Sequence, residues 1–461
     1  MSINLTRFEI RKLHGFLDLD ITFDDNNLVL VGENGSGKTT ILRLLYYFLS
    51  NQLHLLEKFS FDYLKLRYGR KSIKLKHSDI SQHISPGRRI ISMFPIEVRE
   101  RIRIEMANID SYSERLSYLR DAGYRYRISP HLIRGHLYEY EKDIPSNIKN
   151  MEGKIDEFID SFDAQLIYLP TYRRIEEEFH HLIRDKELKE SYKYRKRMHI
   201  DKENSQYIEL VEFGMSDVDE LIDNTLEYLK EFARKSLENL TLGYLSDIVE
   251  KKYKISELKP IQDADQYNIS KVLQRIGERI LSPEQKEHVK ETVNKVKCGK
   301  KIVEHDKVVC YYFLKLLKFQ AELEDKEKSI TEFGNVCNGY FEEKEKQFIY
   351  DSGTFTFRCV QYDENTGEEK ELKLQNLSSG EKQIVSIFGR LYLSRKKRYY
   401  LIIDEPELSL SVEWQKKLLT DIVDSKLCVG IVAATHSPFI YENKLEKYAH
   451  GIGEFIKKEY K

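Results

Sequence analysis

Hydrophobic and polar positions alternate along INLTRFEI (residues 3–10) and LDLDITF (17–23), and after a polar DDNN turn the run LVLV (28–31) is apolar throughout. Alternation predicts a β-hairpin with one buried face, and the unbroken run predicts a strand covered on both sides. In the next stretch, TTILRLLYYFLS, the apolar period lengthens to that of a helix, so Ile41, Leu42, Leu44, Leu45 and Phe48 should face a sheet. From about residue 51 to 345 the pattern is that of long charged helices, for example DVDELIDNTLEYLKEFARKSLENL, interrupted by the strand-like AQLIYLPTYRR at 164–174.

Strand signals return near residue 348 with FIYD, TFTFRCVQY, a DENTG turn and ELKL. LSSGEKQ then opens a helix, followed by the apolar strand YYLIID, a helix through VEWQKKLLTDIV and the strand CVGIVAATHS. Alternating strand and helix predicts a mostly parallel, covered sheet. The expected fold is therefore α/β: a mixed sheet with an N-terminal hairpin and a parallel core, split by a large, mainly α-helical insertion. Its expected segments are a head at 1–50, helical insertion at 51–160, a strand returning to the head at 161–176, further insertion at 177–345, and the rest of the head at 346–461. Without a sustained heptad pattern, the insertion should be a compact arm rather than an extended coiled coil.

Length supports two units, since 461 residues exceed what one core usually holds. With 41% hydrophobic and 33% charged residues the chain should fold, and 75 basic against 76 acidic side chains leave any nucleic-acid contact to a local patch. Two such stretches stand out, one of Lys65, Arg67, Arg70, Lys71, Lys74 and Lys76, the other of Lys193, Arg195, Lys196 and Arg197 with Tyr192 and Tyr194. Basic residues interleaved with aromatics suit backbone contact plus base stacking, but a solvated helix face is the better reading in so charged a chain. The five cysteines include no C-x-x-C pair, which argues against zinc or disulfides. No apolar run has the length of a membrane span or the character of a signal peptide, so a cytoplasmic protein without membrane association is expected.

Four segments carry chemistry. Gly32-Glu33-Asn34-Gly35-Ser36-Gly37-Lys38-Thr39, followed by Thr40, fits a P-loop: its glycines let backbone N–H groups reach phosphate oxygens, Lys38 adds a point charge and the Thr39 hydroxyl suits magnesium. Such a match arises by chance in about one in fifty chains of this length. A strand before it and a helix after, whose positive end faces the phosphates, make chance a poor account. Leu401-Ile402-Ile403-Asp404-Glu405 is an apolar strand ending in two carboxylates, Asp404 for magnesium and Glu405 for the attacking water. In Leu377-Ser378-Ser379-Gly380-Glu381-Lys382-Gln383, Ser379 and the Gly380 amide at a helix start form a second anion site. His436, at the end of another apolar strand, can reach a γ-phosphate.

Together and in this order, the four segments resemble the ABC-type ATPases of the soluble SMC, Rad50, RecF and OLD-like branch. GENGSGKTT corresponds to Walker A, LSSGEKQ to the signature, LIIDEPE to Walker B and ATHSP to the switch histidine. The resemblance implies a cytoplasmic magnesium-dependent ATPase whose ATP is sandwiched in a homodimer of heads, or in a larger assembly, with the P-loop of one head facing Ser379 and Gly380 of the other. Within that branch the size, YLPTYRRIE and ELSLSVEWQ look most like the PtuA ATPases of Septu-type and retron antiviral defence systems. Such ATPases work beside an HNH-type nuclease, and in retrons beside a reverse transcriptase with its RNA-linked DNA.

Departures leave alternatives open. The signature reads SSGE where transporters carry SGGQ, and no clear Q-loop exists, with Gln165 and Arg173 both as candidates. Ser409 stands where relatives often carry a histidine, Trp414 reads as a packing residue, and Arg11 or Lys12 could contact the nucleotide or be solvated turn charges. OLD-family nucleases carry a Toprim module after the switch histidine, and none is read in the residues after His436 here, so any cutting is expected to fall to a partner. A RecF- or Rad50-like DNA-repair ATPase and a slowly hydrolysing, ATP-locked scaffold are the competing functions.

Overall fold

The computed structural model describes residues 4–33, 35–80, 164–170, 207–209, 214–254, 258–275, 281–341, 346–363, 367–394 and 398–459, with short pieces between 101 and 158. The chain divides into two compact units, one of Met1–Glu212 with Arg395–Lys461 and the other of Phe213–Ser394.

The first unit opens with the expected hairpin of β1 (Leu5–Leu13) and β2 (Leu17–Thr22), in which Phe8 lies opposite Ile21 and Ile10 opposite Leu19, all buried. The apolar β3 (Leu28–Val31) follows, then α1 (Lys38–Leu49), which buries all five residues that its period predicts. Each such side chain gains about 1.5–3 kcal/mol from leaving water. Beyond the short α2 (Leu53–Leu56) comes a correction: where a helical insertion was expected, β4 (Tyr63–Tyr68) and β5 (Lys71–Lys76) form a second hairpin. The reason is a period of two, with Leu64, Leu66, Ile73 and Leu75 buried while Lys74 and Lys76 point out.

The first basic stretch is thus part of a sheet, not a helix face, and some of its charge is committed. Arg67 pairs with buried Glu9 at 2.8 Å, Lys71 with Glu157 at 2.6 Å, and the Lys74 ammonium lies 3.6 Å from the centre of the Tyr63 ring. The second basic stretch lies outside the described residues. β6 (Gln165–Leu169) joins the parallel sheet as expected, with β7 (Tyr207–Glu209) beside it.

The second unit contains α3 (Met215–Val249), α4 (Lys259–Asp263), α5 (Gln266–Arg275), α6 (Pro283–Lys297) and α7 (Glu304–Phe341) around a core that includes Ile261, Ile269, Val293 and Phe313. β8 (Lys346–Asp351), β9 (Thr356–Tyr362) and β10 (Glu369–Glu371) make an antiparallel sheet, followed by α8 (Ser379–Leu393). Residues 346–394, assigned from sequence to the head, therefore share a unit with the long helices. Aromatic packing explains this: Phe333 of α7 meets Phe348 and Phe357 of β8 and β9 with ring centres 5.8 and 5.5 Å apart. Gly389 lets α8 approach closely, since a Cβ there would lie 3.3 Å from Val218 and 3.6 Å from Phe333.

The chain then returns to the first unit as β11 (Tyr399–Asp404), α9 (Val412–Asp424), β12 (Cys428–Thr435), β13 (Ala449–Gly451), α10 (Ile452–Phe455) and β14 (Ile456–Glu459). Two sheets result, an antiparallel one in the order β14-β2-β1-β4-β5 and a six-stranded parallel one in the order β13-β3-β12-β11-β6-β7. One apolar core joins them through α1, from Phe8 and Ile10 through Leu45 and Phe48 to Tyr400, Ile402 and Val432. The fold is a mixed α/β head with an N-terminal hairpin, a parallel core and a large helical insertion. All five cysteines are free thiols, with Cys310, Cys337 and Cys359 buried in the second unit.

Candidate functional site

The parallel register brings the C-terminal ends of the central strands into line: Val31 of β3 lies opposite Thr435 of β12, Asp404 of β11 opposite Ala434, and Ile403 opposite Leu169 of β6. Loops leaving these ends collect along one edge, where open α/β sheets bind ligands. The first runs from Gly32 to Gly37, where Gly35 and Gly37 adopt φ of 82° and 96°, values that any side chain would strain. Gly37 is also the N-cap of α1 and offers no side chain to its first N–H groups, which stay available to an anion. Lys38 is buried, its Nζ donating to the carbonyls of Gly32 at 2.6 Å and Glu33 at 3.1 Å. Thr39 and Thr40 sit half-buried in the first turn, and Asn34 lies outside the described residues.

The second loop leaves β11. Asp404 is 1% exposed and ends the strand, and Glu405 turns the chain with a φ of 50°, a left-handed conformation that costs a non-glycine residue about 1–3 kcal/mol. Its N–H donating to the Ala434 carbonyl at 2.8 Å holds that turn. The Glu405 side chain then bridges two elements, Oε1 lying 3.7 Å from Lys38 Nζ and Oε2 2.7 Å from His436 Nδ1. Glu407, also buried, accepts the main-chain N–H of His436 at 2.9 Å and of Ser437 at 3.2 Å. Burial, and then the neighbouring Glu407, push the Glu405 carboxyl up to about 7, against the pull of His436 and Lys38.

A residue that sequence reasoning missed lies on α1. The guanidinium of Arg43 is held above its usual range: burial works against the charge, but the hydrogen bond to Tyr168 and the field of that tyrosine, followed by those of Tyr47 and Asp404, outweigh it. Its signal was present, because Lys38 and Arg43 are the charged side chains of an otherwise apolar and hydroxyl-bearing helix. Glu407 was missed as well, although DEPE shows a second carboxylate two residues after Glu405.

Lys38, Thr39, Asp404, Glu405 and His436 thus gather on one edge of the first unit. Ser379 and Gly380 belong to the second unit, at the start of α8. There Ser378, not Ser379, caps the helix in a reciprocal pair with Glu381, whose Oε2 accepts the Ser378 N–H at 2.7 Å. Burial would raise the Glu381 carboxyl, but the Ser378 bonds and Lys346, 3.0 Å away, bring it below the usual range. Ser379 is left exposed on the first turn, with Gly380 buried behind it.

Of the Q-loop candidates, Gln165 is excluded by position. It is fully buried at the start of β6, opposite Tyr399, at the other end of the strands from Asp404. Arg173 lies outside the described residues. Arg11 is occupied within the hairpin, donating to Asp20 at 3.1 Å and to the Leu19 carbonyl at 2.8 Å, and the Lys12 N–H donates to Asp18 at 2.8 Å. Ser409 is exposed with a φ of 65°, and Trp414 is buried on α9 with Leu418 and Ile422.

Hard oxygen donors are what a small divalent cation requires, and the Thr39 hydroxyl and Asp404 carboxylate supply them beside the loop that would face a polyphosphate. A second group, Glu405, Glu407 and His436, brings ligand atoms within 4.8 Å of one another among the described residues. Within this group Glu405 is hydrogen-bonded to His436 Nδ1, and Glu407 accepts the main-chain N–H groups of His436 and Ser437. No helix among the described residues is long and apolar enough to cross a membrane.

A family model for the AAA ATPase domain matches residues 3–441. No curated protein matches the sequence. Among solved structures, the chain is similar to the Smc head domain of Pyrococcus furiosus with an extended coiled coil, bound to the C-terminal domain of ScpA. Identity is 12% over 95% of this chain and 91% of that one, with a TM-score of 0.32.

Proposed function

The chain belongs to the AAA ATPase domain family, and on that premise we propose that it binds ATP with magnesium and hydrolyses it along the C-terminal edge of its parallel sheet. The observation that carries this reading is one side chain: Glu405 reaches Lys38 through one oxygen and His436 through the other. Three loops distant in sequence thereby meet where a terminal phosphate would sit between a cation, a carboxylate and an imidazole.

The N–H groups at Gly37 and in the first turn of α1 receive phosphate oxygens, and Lys38 turns from the carbonyls of Gly32 and Glu33 to the terminal phosphates. Thr39 and Asp404 would hold magnesium, which neutralises charge on the phosphate oxygens. Glu405 orients the attacking water and takes its proton, a task suited to a carboxyl near 7. His436 directs Nδ1 at the carboxylates, which leaves Nε2 for the γ-phosphate. By the ABC-type reading, exposed Ser379 and the start of α8 from a second copy close over the nucleotide, making the homodimer part of catalysis.

The biological role we propose is regulation of a separate HNH-type nuclease in an antiviral defence complex, ATP binding holding the assembly and ATP loss switching the partner. The likeness of YLPTYRRIE and ELSLSVEWQ to the Septu and retron ATPases supports it. Affinity purification of Glu405→Gln from the native host tests it, because loss of the base traps the ATP-bound assembly. Recovery of a stoichiometric nuclease, with or without a reverse transcriptase and its DNA, is the expected result. Recovery of repair proteins, or of genomic DNA with this chain alone, would move the assignment to a repair ATPase.

A further inference from the structure

Glu407 is a buried carboxylate whose effect on Glu405 does not account for its bonds to the main chain of a different turn. It is 5% exposed and lies on the turn leaving β11, yet its Oε1 accepts two main-chain N–H groups from the turn leaving β12, those of His436 at 2.9 Å and Ser437 at 3.2 Å. The same oxygen lies 3.0 Å from His436 Nδ1. The parallel ladder between β11 and β12 stops at Asp404 and Ala434, so beyond it the two turns have no strand pairing to register them. The sharp reversal at Glu405 carries the chain back far enough for Glu407 to reach across.

His436 needs such an anchor. Its side chain is 49% exposed, so packing does little to fix the ring, and its Nδ1 side is gripped by Glu405 at 2.7 Å and Glu407 at 3.0 Å. Ser437 is tied down as well, its N–H shared with Thr435 Oγ1 at 3.0 Å and its hydroxyl donating to Gln415 at 2.7 Å. We propose that Glu407 is a positioning residue, which by holding the His436–Ser437 main chain and the Nδ1 side of the imidazole presents Nε2 to the transferred phosphoryl group. This rests on the ATPase reading. A displacement of about 1 Å at such a group costs on the order of a hundredfold in rate, so the effect should fall on turnover rather than on nucleotide affinity.

Full-length wild type, His436→Ala, Glu407→Ala, Glu407→Gln, Glu407→Asp and the double alanine variant test this by steady-state ATPase kinetics with a separate Mg-ATP binding titration. Glu407→Ala should lower kcat about as far as His436→Ala, roughly ten- to a hundredfold, with the Kd for Mg-ATP changed less than about threefold. The double variant should be no slower than His436→Ala alone, because both remove one device. Glutamine keeps an oxygen in place for the two N–H groups and should restore most of the rate, whereas aspartate, a methylene short, should not. Independent, multiplicative losses in the double variant, or a loss that appears in Kd instead of kcat, overturn the proposal. Should Glu407→Ala fail to melt cooperatively, the ranking of glutamine above aspartate decides, and the reverse ranking overturns it. If wild type shows no turnover, or His436→Ala leaves it unchanged, the ATPase reading falls and this inference with it. If His436→Ala slows turnover and the Glu407 series does not, only this inference falls.

Discussion

Lys38 commits its charge to two backbone carbonyls and to Glu405, contacts that on the proposed reading it exchanges for phosphate oxygens. Lys38→Ala should weaken Mg-ATP binding at least about a hundredfold, nearly 3 kcal/mol, in a calorimetric or fluorescent-nucleotide titration, while the fold persists. Glu405 supplies a second test. Its carboxyl in the folded chain sits at about 7, above its ordinary value, so the native state holds this proton more tightly than the unfolded state does. Stability from that proton is present below the ordinary carboxylate range and is lost as pH rises through about 7. Urea midpoints of the ligand-free protein should therefore fall between pH 5 and 8, and Glu405→Gln should flatten that slope. Lys38, Asp404, Glu405 and His436 were legible as candidates because Asp404 ends an apolar strand, Glu405 and His436 come one residue after one, and Lys38 closes the glycine loop that another delivers. Glu407 was not, since its partners are main-chain N–H groups 29 and 30 residues further on, which no local pattern announces.

Elements follow their periods where the periods are read. The helical spacing from Ile41 to Phe48 gave α1 its buried face, but Tyr63–Tyr68 and Lys71–Lys76 were absorbed into a helical insertion although YLKLRY and KSIKLK alternate. High charge hid the alternation: on a sheet with one solvated face lysine is as much at home as on a helix, and only the positions of Leu64, Leu66, Ile73 and Leu75 tell the two apart. At α8 the Ser378–Glu381 capping box occupies Ser378 as the cap and leaves Ser379 exposed on the first turn. Ser378→Ala should cost about 1 kcal/mol in chemical denaturation. Lys346→Ala should cost more, about 3 kcal/mol, because it leaves the Glu381 carboxylate buried without its cation.

The molecule as a whole interleaves a continuous unit, Phe213–Ser394, within a discontinuous one. The continuous unit has its own apolar core around Ile269, Val293 and Phe313, so a fragment spanning 213–394 should give a cooperative thermal melt followed by far-ultraviolet circular dichroism. A non-cooperative melt would mean that its long helices borrow stability from elsewhere in the chain. The discontinuous unit has a different history. Both neighbours of β3 in the parallel sheet, β12 and β13, come from residue 428 onward, although the Gly32–Gly37 loop that β3 carries is made within the first forty residues. While the chain is emerging from the ribosome, that strand has two bare edges and the loop no scaffold, and the interval lasts roughly 20 to 80 seconds at ordinary rates of synthesis. On the proposed reading, nucleotide affinity is therefore expected only of chains made past residue 451, where both neighbours of β3 are in place.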